Sequence, residues 1–380
     1  MRLKKGNTIL VRGRVKIEGE AEVLGAQLRE FSSHKYVPVY CRGDCEIQVD
    51  GEYRIVDGET IPESWKRLAE KEWDTLFILG GTDSGKSTLA AFLANKVGGC
   101  YVLDLDIGQS DIAHPGAMGY GFVKNCPTLS HAEMINGYFV GTISPMGREA
   151  RCLRGVARLW RELESRDGRK VVDTTGWVRG VRARDYKLAK MEIIQPDIVA
   201  YFPPKPPFLD GWKAFEVEKG FVLERNRDER VRLRTDRYEK ELRGARLIRA
   251  KSEYVRSNLF AGKEMPADFI EDILEAKVCW VRKGNDFLVI VTSERVDVDS
   301  GVLKAFKELY DVEDVFLLSE NELDGIVAGL YWRDRYLGMG LLRGLEDGEV
   351  LIETRHTEFD RIELGEFRIS RGKEYIVRVP

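Results

Sequence analysis

Residues 80–87, Gly80-Gly81-Thr82-Asp83-Ser84-Gly85-Lys86-Ser87, constrain the fold of this chain more than any other stretch. They fit the phosphate-binding pattern G-x-x-x-x-G-K-[ST], with Thr88 continuing it. The apolar run Leu76-Phe77-Ile78-Leu79 precedes the pattern. An apolar-periodic segment from Thr88 to Val97 follows and stops at Gly98-Gly99. Strand, tight loop and helix in that order let glycines 80, 81 and 85 wrap the backbone so that successive N–H groups face one anion. The helix start adds its positive end to the same spot. Lys86 suits the β/γ oxygens of a triphosphate and Ser87 can offer a hydroxyl to Mg²⁺. Gly80 to Thr88 are therefore expected to hold ATP or another nucleoside triphosphate.

The chain after this loop repeats the logic of a parallel sheet. A second apolar run, Tyr101-Val102-Leu103, leads into Asp104-Leu105-Asp106-Ile107-Gly108-Gln109. One βα unit after a phosphate loop, Asp104 and Asp106 are expected to face the metal. A third buried run, Lys170-Val171-Val172, ends at Asp173 and enters Thr174-Thr175-Gly176-Trp177-Val178-Arg179-Gly180. Trp177 is costly to expose there unless it stacks on something; a place in the core is the plainer alternative. Asp197 to Phe202 reads as the fourth strand. Residues 110–146 read as loop-rich, where substrate contacts belong in such a fold.

Two arginine-dense segments stand out. Arg148, Arg151, Arg154, Arg158 and Arg161 share one helical face, which is either a solvated surface or a track for a phosphate backbone. Residues 225–249 hold ten Lys/Arg against five acids and read as a helical lid. Arg230 and Arg234 lie one turn apart and Arg237 three further on, so their planar forks can face inward together.

The fold class expected is α/β, a central parallel phosphate-loop sheet flanked by two smaller domains. Residues 1–62, short β runs separated by glycines, read as a small β domain. Residues 63–260 carry the phosphate-loop domain with its lid, and 261–380 an α+β or β-rich domain. The chain has 380 residues and a net charge of −3, which argues against a globally basic nucleic-acid coat. Met1 to Lys5 lead into no apolar segment of the signal-peptide kind and no apolar run reaches membrane-span length, so the expectation is a cytoplasmic protein that meets no membrane. The six cysteines are scattered and the close pair, Cys41 and Cys45, reads as ordinary thiols.

Four segments together carry a resemblance. Residues 80–88, 104–109, Gly141-Thr142-Ile143-Ser144-Pro145 and 174–180 resemble the motifs of the polynucleotide 5′-hydroxyl kinases, in similar order and spacing across 75–250, and the archaeal-type members fit the layout. Val327 to Leu330 with Leu337 to Gly340 is similar to the family's tail. The resemblance implies transfer of the γ-phosphoryl of ATP to the 5′-hydroxyl end of single-stranded RNA, with DNA as a further acceptor, and RNA-processing proteins as partners. It implies that Lys86 and Ser87 hold the triphosphate and Mg²⁺. Asp106 would activate the hydroxyl, supported by Asp104, which with Ser87 would also serve the metal. Gln109, Thr142 and Ser144 would contact the acceptor end, Trp177 would stack on the terminal base, and Arg230, Arg234 and Arg237 would form the lid.

Two rival functions fit parts of the same pattern. A small-molecule kinase or GTPase shares the phosphate loop, but Asn95-Lys96 is followed by Val97-Gly98 rather than a guanine-reading Asp, and the two arginine segments exceed what a small substrate needs. A non-catalytic scaffold that holds ATP would suit the end domains, yet the full set of Lys86, Asp106 and lid arginines argues for chemistry.

Overall fold

The computed structural model describes residues 1–221, 225–346 and 348–379. The chain divides into two compact units. The first is Met1–Tyr138 with Ile143–Arg234, and the second Phe139–Thr142 with Thr235–Pro380.

The first unit begins with β1 (Arg2–Leu3), β2 (Asn7–Val23) and β3 (Glu30–Asp57), an antiparallel sheet in the order β1-β3-β2. At 28 residues β3 is long enough to pair along both edges of β2: Thr8 faces Val56 on one side and Tyr40 on the other. Alternation buries Ile9, Val11, Val15 and Ile17 on one face. The glycines read as hairpin punctuation lie within these long strands. Gly13 (φ +120°) meets Gly51, and a Cβ there would strike the Asp50 carbonyl. Cys41 and Cys45 are joined in a disulfide, not free as the sequence suggested. Both are buried on β3 with Cα atoms 6.3 Å apart, within bridging reach.

Next come α1 (Glu63–Glu70), β4 (Thr75–Leu79), α2 (Lys86–Lys96), β5 (Cys100–Asp104), β6 (Ala117–Val123), β7 (Met134–Phe139), α3 (Glu149–Glu164), β8 (Lys170–Asp173), α4 (Val181–Ile194), β9 (Ile198–Tyr201), β10 (Ala214–Glu216) and α5 (Arg227–Leu242). Seven strands form one sheet in the order β10-β9-β4-β8-β5-β6-β7. Strands β10, β9, β4, β8 and β5 run parallel. Every residue of β4, β8 and β9 is buried, as expected for strands covered on both faces. Helix α2 is buried nearly all round, whereas α3 buries one face through Cys152, Val156, Leu159, Trp160 and Leu163. Its other face leaves Arg154 and Arg161 exposed.

Residues 110–146, read as loop, contain β6 and β7, with β6 antiparallel to β5. Gly119 and Gly121 hide the strand signal in the sequence. They are there because a Cβ on Gly121 would strike the Glu133 carbonyl, and one on Gly119 would crowd Ala113 and Met134.

In the second unit, β11 (Arg246–Lys251), β12 (Lys263–Met265), α6 (Asp268–Leu274), β13 (Val278–Lys283), β14 (Phe287–Thr292), α7 (Ser300–Tyr310), β15 (Asp314–Ser319), α8 (Glu320–Leu323), β16 (Ile326–Trp332), β17 (Arg335–Glu346), β18 (Glu349–Thr354), β19 (Arg361–Ser370) and β20 (Lys373–Ile376) make two sheets. Their orders are β11-β18-β17-β16-β19-β20 and β12-β13-β14-β15. The arginine-dense segment 225–249 is thus helix only to Leu242, and from Arg246 it is strand.

Candidate active site

The phosphate loop turns from β4 into α2 through Gly85, whose φ of +100° suits glycine. Asp83 is also left-handed, at φ +54°, a conformation that aspartate tolerates. Gly80 is crowded, since a Cβ there would strike the Ser84 hydroxyl and the Phe202 ring. Lys86 is buried and bent over the loop, its Nζ donating to the Gly81 carbonyl at 2.7 Å. Burial lowers its pKa, opposed by the carboxylates of Asp173, Asp106 and Asp83.

Strands β5 and β8 bring three acids to the same edge. Asp104 is buried, and loop donors occupy both of its oxygens. The N–H of Asp106 reaches Oδ1 at 3.0 Å, while the Asp111 N–H (2.6 Å), Ile112 N–H (3.1 Å) and Ser110 hydroxyl (3.1 Å) reach Oδ2. Its carboxylate orders the loop that carries Asp106. Asp106 is half-buried, and its Oδ1 accepts from the N–H groups of Gly108 (3.1 Å) and Gln109 (3.2 Å). Its other oxygen takes no hydrogen bond among the described residues and is thereby open to a donor. Gln109 turns its own amide to the Gly108 carbonyl at 2.9 Å.

Asp173, at the end of β8, was marked in the sequence only as a strand end. It is fully buried, the Ser87 side chain acts on it electrostatically, and its Oδ1 has no partner among the described residues. Burial raises its pKa while Lys86 and Ser87 draw it down. An acid at the carboxyl end of the strand beside the phosphate-loop strand was the available signal. An orphaned buried carboxylate oxygen beside a phosphate-loop hydroxyl is a donor set that suits Mg²⁺.

Two glycines let further loops close on this edge. A Cβ on Gly176 would lie 2.6 Å from the Thr82 backbone nitrogen, so the 174–177 turn lies directly on the phosphate loop. A Cβ on Gly108 would lie 2.9 Å from the Ile143 carbonyl, which puts the segment leading to Ser144 against the Asp106 loop. The 174–177 turn is tied down by the Thr174 hydroxyl, donating to Ile78 O at 2.8 Å, and from below by Lys187. That lysine is wholly buried and donates to Thr174 Oγ1 at 2.9 Å and to Thr175 O at 2.6 Å. Trp177 is half-buried, its ring 5.8 Å from that of Tyr186.

Of the lid residues, Arg230 and Arg234 belong to the first unit and are half-buried. Arg230 Nη2 pairs with Asp83 Oδ2 at 2.5 Å. Arg237 and Thr142 belong to the second unit, where Arg237 pairs with Glu241 at 3.8 Å and Glu241 also accepts from Arg355 at 2.9 Å.

A cavity of 380 Å³ opens beside Ser87 and Thr88, walled by Leu10, Tyr36 and Pro38 of the N-terminal sheet and by Arg225 and Leu233. Lys35 also lines it and pairs with Asp111 at 2.5 Å. Nothing in the sequence of residues 1–62 signalled this, because a lysine and a tyrosine within a β segment are unremarkable until the fold folds them against a phosphate loop.

The comparisons agree with this architecture. Residues 80–248 match the family model described as the P-loop of the mRNA cleavage and polyadenylation factor CLP1. A polyribonucleotide 5′-hydroxyl-kinase of Methanocaldococcus jannaschii is 26% identical over 318 residues, covering 78% of this chain and 86% of that one. One of Thermococcus kodakarensis is 28% identical, covering 78% and 87%. Human polyribonucleotide 5′-hydroxyl-kinase Clp1 is 26% identical over 200 residues, covering 43% and 47%. The solved structure of a wild-type Clp1p–Pcf11p complex shares the fold at 11% identity, with a TM-score of 0.64 over 97% of each chain. In its matched phosphate-loop region, and against relatives aligned over most of its length, this chain is similar to the polyribonucleotide 5′-hydroxyl-kinases.

Proposed function

We propose that this protein is an ATP-dependent polynucleotide kinase that phosphorylates the 5′-hydroxyl end of RNA. The observation that carries the reading is the meeting, on one sheet edge, of a phosphate loop, an aspartate with an unbonded oxygen and a half-exposed tryptophan turn, each delivered by a neighbouring strand. The relatives named as polyribonucleotide 5′-hydroxyl-kinases support it.

In this reading the phosphate-loop N–H groups and Lys86 hold the triphosphate, and the nucleoside enters the cavity beside Ser87. Ser87 and Asp173 hold Mg²⁺, the metal role first expected of Asp104, whose oxygens are given to its own loop. Bound Mg²⁺ supplies charge neutralisation at the phosphate oxygens. Asp106 accepts the proton of the 5′-hydroxyl as that oxygen bonds to the γ-phosphorus. The bond from the γ-phosphorus to the bridging oxygen breaks and ADP leaves. Arg230 and Arg234 stabilise the charge on the transferring group, with Arg237 further along the helix. Trp177 stacks on the terminal base whatever its identity, and Gln109, Thr142 and Ser144 contact the acceptor end. Residues 1–62, 63–260 and 261–380 serve as nucleotide-side wall, transfer domain and docking domain for RNA-processing partners.

Among the described residues no helix is long and apolar enough to cross a membrane. We place the protein in the cytoplasm, with single-stranded RNA as its acceptor and DNA as a secondary one. Labelled ATP with 5′-hydroxyl RNA, 5′-hydroxyl DNA or nucleosides as acceptors, with and without a Mg²⁺ chelator, tests this. Label on RNA only with free Mg²⁺ supports it. Label on nucleosides alone would make it a small-molecule kinase.

A further inference from the structure

We infer that Asp83 is a positioning residue that docks the lid onto the phosphate loop and sets the guanidinium of Arg230 for transfer. This rests on the kinase reading above and adds to it the part played by a loop position that the motif leaves unspecified.

A carboxylate at the tip of an anion-binding loop is electrostatically out of place: it repels the triphosphate the loop exists to hold. Asp83 is nevertheless largely buried, its side chain 11% exposed, and it is met by two cations from one segment. Arg230 Nη2 approaches Oδ2 at 2.5 Å. The backbone N–H of Arg225 reaches the same oxygen at 3.3 Å, and Arg225 Nε lies 3.7 Å from Oδ1. The three side chains sum to one positive charge, so the loop tip stays attractive to phosphate. Both arginines bracket the start of α5, which fixes the position of that helix end relative to the loop.

Arg230 is held by one edge of its fork. Its Nε is buried and has no hydrogen-bond partner among the described residues. A buried donor left unsatisfied is unfavourable, and an arriving phosphate oxygen removes that penalty. Nε and Nη2 share one edge of the guanidinium, so Asp83 takes one donor of that edge and leaves its Nε–H for a phosphoryl oxygen. Asp83 itself touches no reacting atom in this account. Its left-handed backbone is tolerated by asparagine as well as aspartate, so Asp83→Asn removes the charge and keeps the loop's conformation.

The experiment measures kcat, KM for RNA and the Kd for ATP in Asp83→Asn, Asp83→Glu, Arg230→Lys and the Asp83→Asn/Arg230→Lys double variant, and in parallel the rate of tryptic cleavage between Arg225 and Arg237 without nucleotide. Asp83→Asn is expected to lower kcat about 10- to 100-fold, the range for a mispositioned charge stabiliser, with ATP Kd within about threefold of wild type. Asp83→Glu should restore most of kcat. The double variant should be no slower than Arg230→Lys alone, since the two act as one unit. Tryptic cleavage of the lid should accelerate about fivefold or more in Asp83→Asn. Unchanged kcat, multiplicative losses in the double variant, or unchanged lid cleavage would each overturn the docking role. If the wild-type protein transfers no phosphate to RNA, the kinase reading fails, and the tryptic rate alone then decides whether Asp83 docks the lid.

Discussion

Truncating Trp177 separates a core role from a substrate role, because the ring packs on one neighbour within the protein and is proposed to stack on a second in the substrate. One face lies against Tyr186, with centroids 5.8 Å apart and planes 37° apart, and the residue is half-buried. Full burial of a tryptophan is worth about 3–5 kcal/mol against alanine, so a half-buried ring predicts a stability loss of about 2 kcal/mol. For a unit of this size that lowers Tm by about 4–8 °C. The open face is the part assigned to the terminal base. Loss of one stacked base costs about 1–3 kcal/mol, or roughly 5- to 150-fold in kcat/KM for RNA. Trp177→Ala should therefore show both effects, whereas ATP binding, which belongs to the phosphate loop, stays within about twofold. Trp177→Phe keeps an aromatic face and should recover most of the RNA term. The assay is 5′-end labelling at saturating ATP over a range of RNA concentrations, with melting curves and ATP titrations on the same preparations. A Tm that falls while kcat/KM for RNA stays within twofold would return Trp177 to the core and refute the stacking argument.

Three further predictions concern charged side chains at and beside the site. Lys86→Ala should lower end labelling about 100- to 1,000-fold, the scale for removing a charge clamp from a phosphoryl-transfer site; activity within tenfold of wild type would refute its role. Asp106→Asn should lower kcat about 100-fold or more with little change in ATP Kd, as for loss of a proton acceptor, and an unchanged kcat would reassign the base. Lys190 is wholly buried with no hydrogen-bond partner among the described residues, and burial pushes its pKa down to about 8 from an ordinary value of 10.5. Below pH 8 it is charged in both states and the folded chain bears the cost; between pH 8 and 10.5 only the unfolded chain keeps the proton, so stability contributed by this group rises with pH across that window. Lys190→Met should accordingly be more stable than wild type at pH 7, with the difference narrowing from pH 8 to 10.5. A variant less stable than wild type at pH 7 would show that the contact of Nζ with the Tyr186 ring, 4.1 Å from its centroid, outweighs the desolvation.

The parallel sheet was legible because its strands are short apolar runs ending in polar loops, a pattern set by burial on both faces and readable without tertiary information. The strands β6 and β7 were not legible, because close backbone approach demands glycines at 119 and 121, and glycine reads locally as a turn. In the site, the phosphate loop and Asp106 announce themselves by local spacing. The part of Asp104 as organiser of its own loop depends on hydrogen bonds to residues 106–112 whose geometry the sequence does not carry. Asp173, Lys187 and the Asp83–Arg230 pair become meaningful only once strands and helices distant in the chain are adjacent. Asp83 and Arg230 are separated by 147 positions. Likewise the cavity wall from Leu10, Tyr36 and Pro38 follows from the path of β2 and β3, not from any motif within them.

Everything proposed for this site turns on transfer of phosphate from ATP to the 5′-hydroxyl of RNA. The most direct measurement incubates the purified chain with γ-labelled ATP, Mg²⁺ and a single-stranded RNA oligonucleotide bearing either a 5′-hydroxyl or a 5′-phosphate, then digests the product to mononucleotides. Label is expected in the 5′-terminal nucleotide of the hydroxyl-ended RNA and none on the phosphate-ended one. Tight ATP binding with no label on either RNA would contradict it.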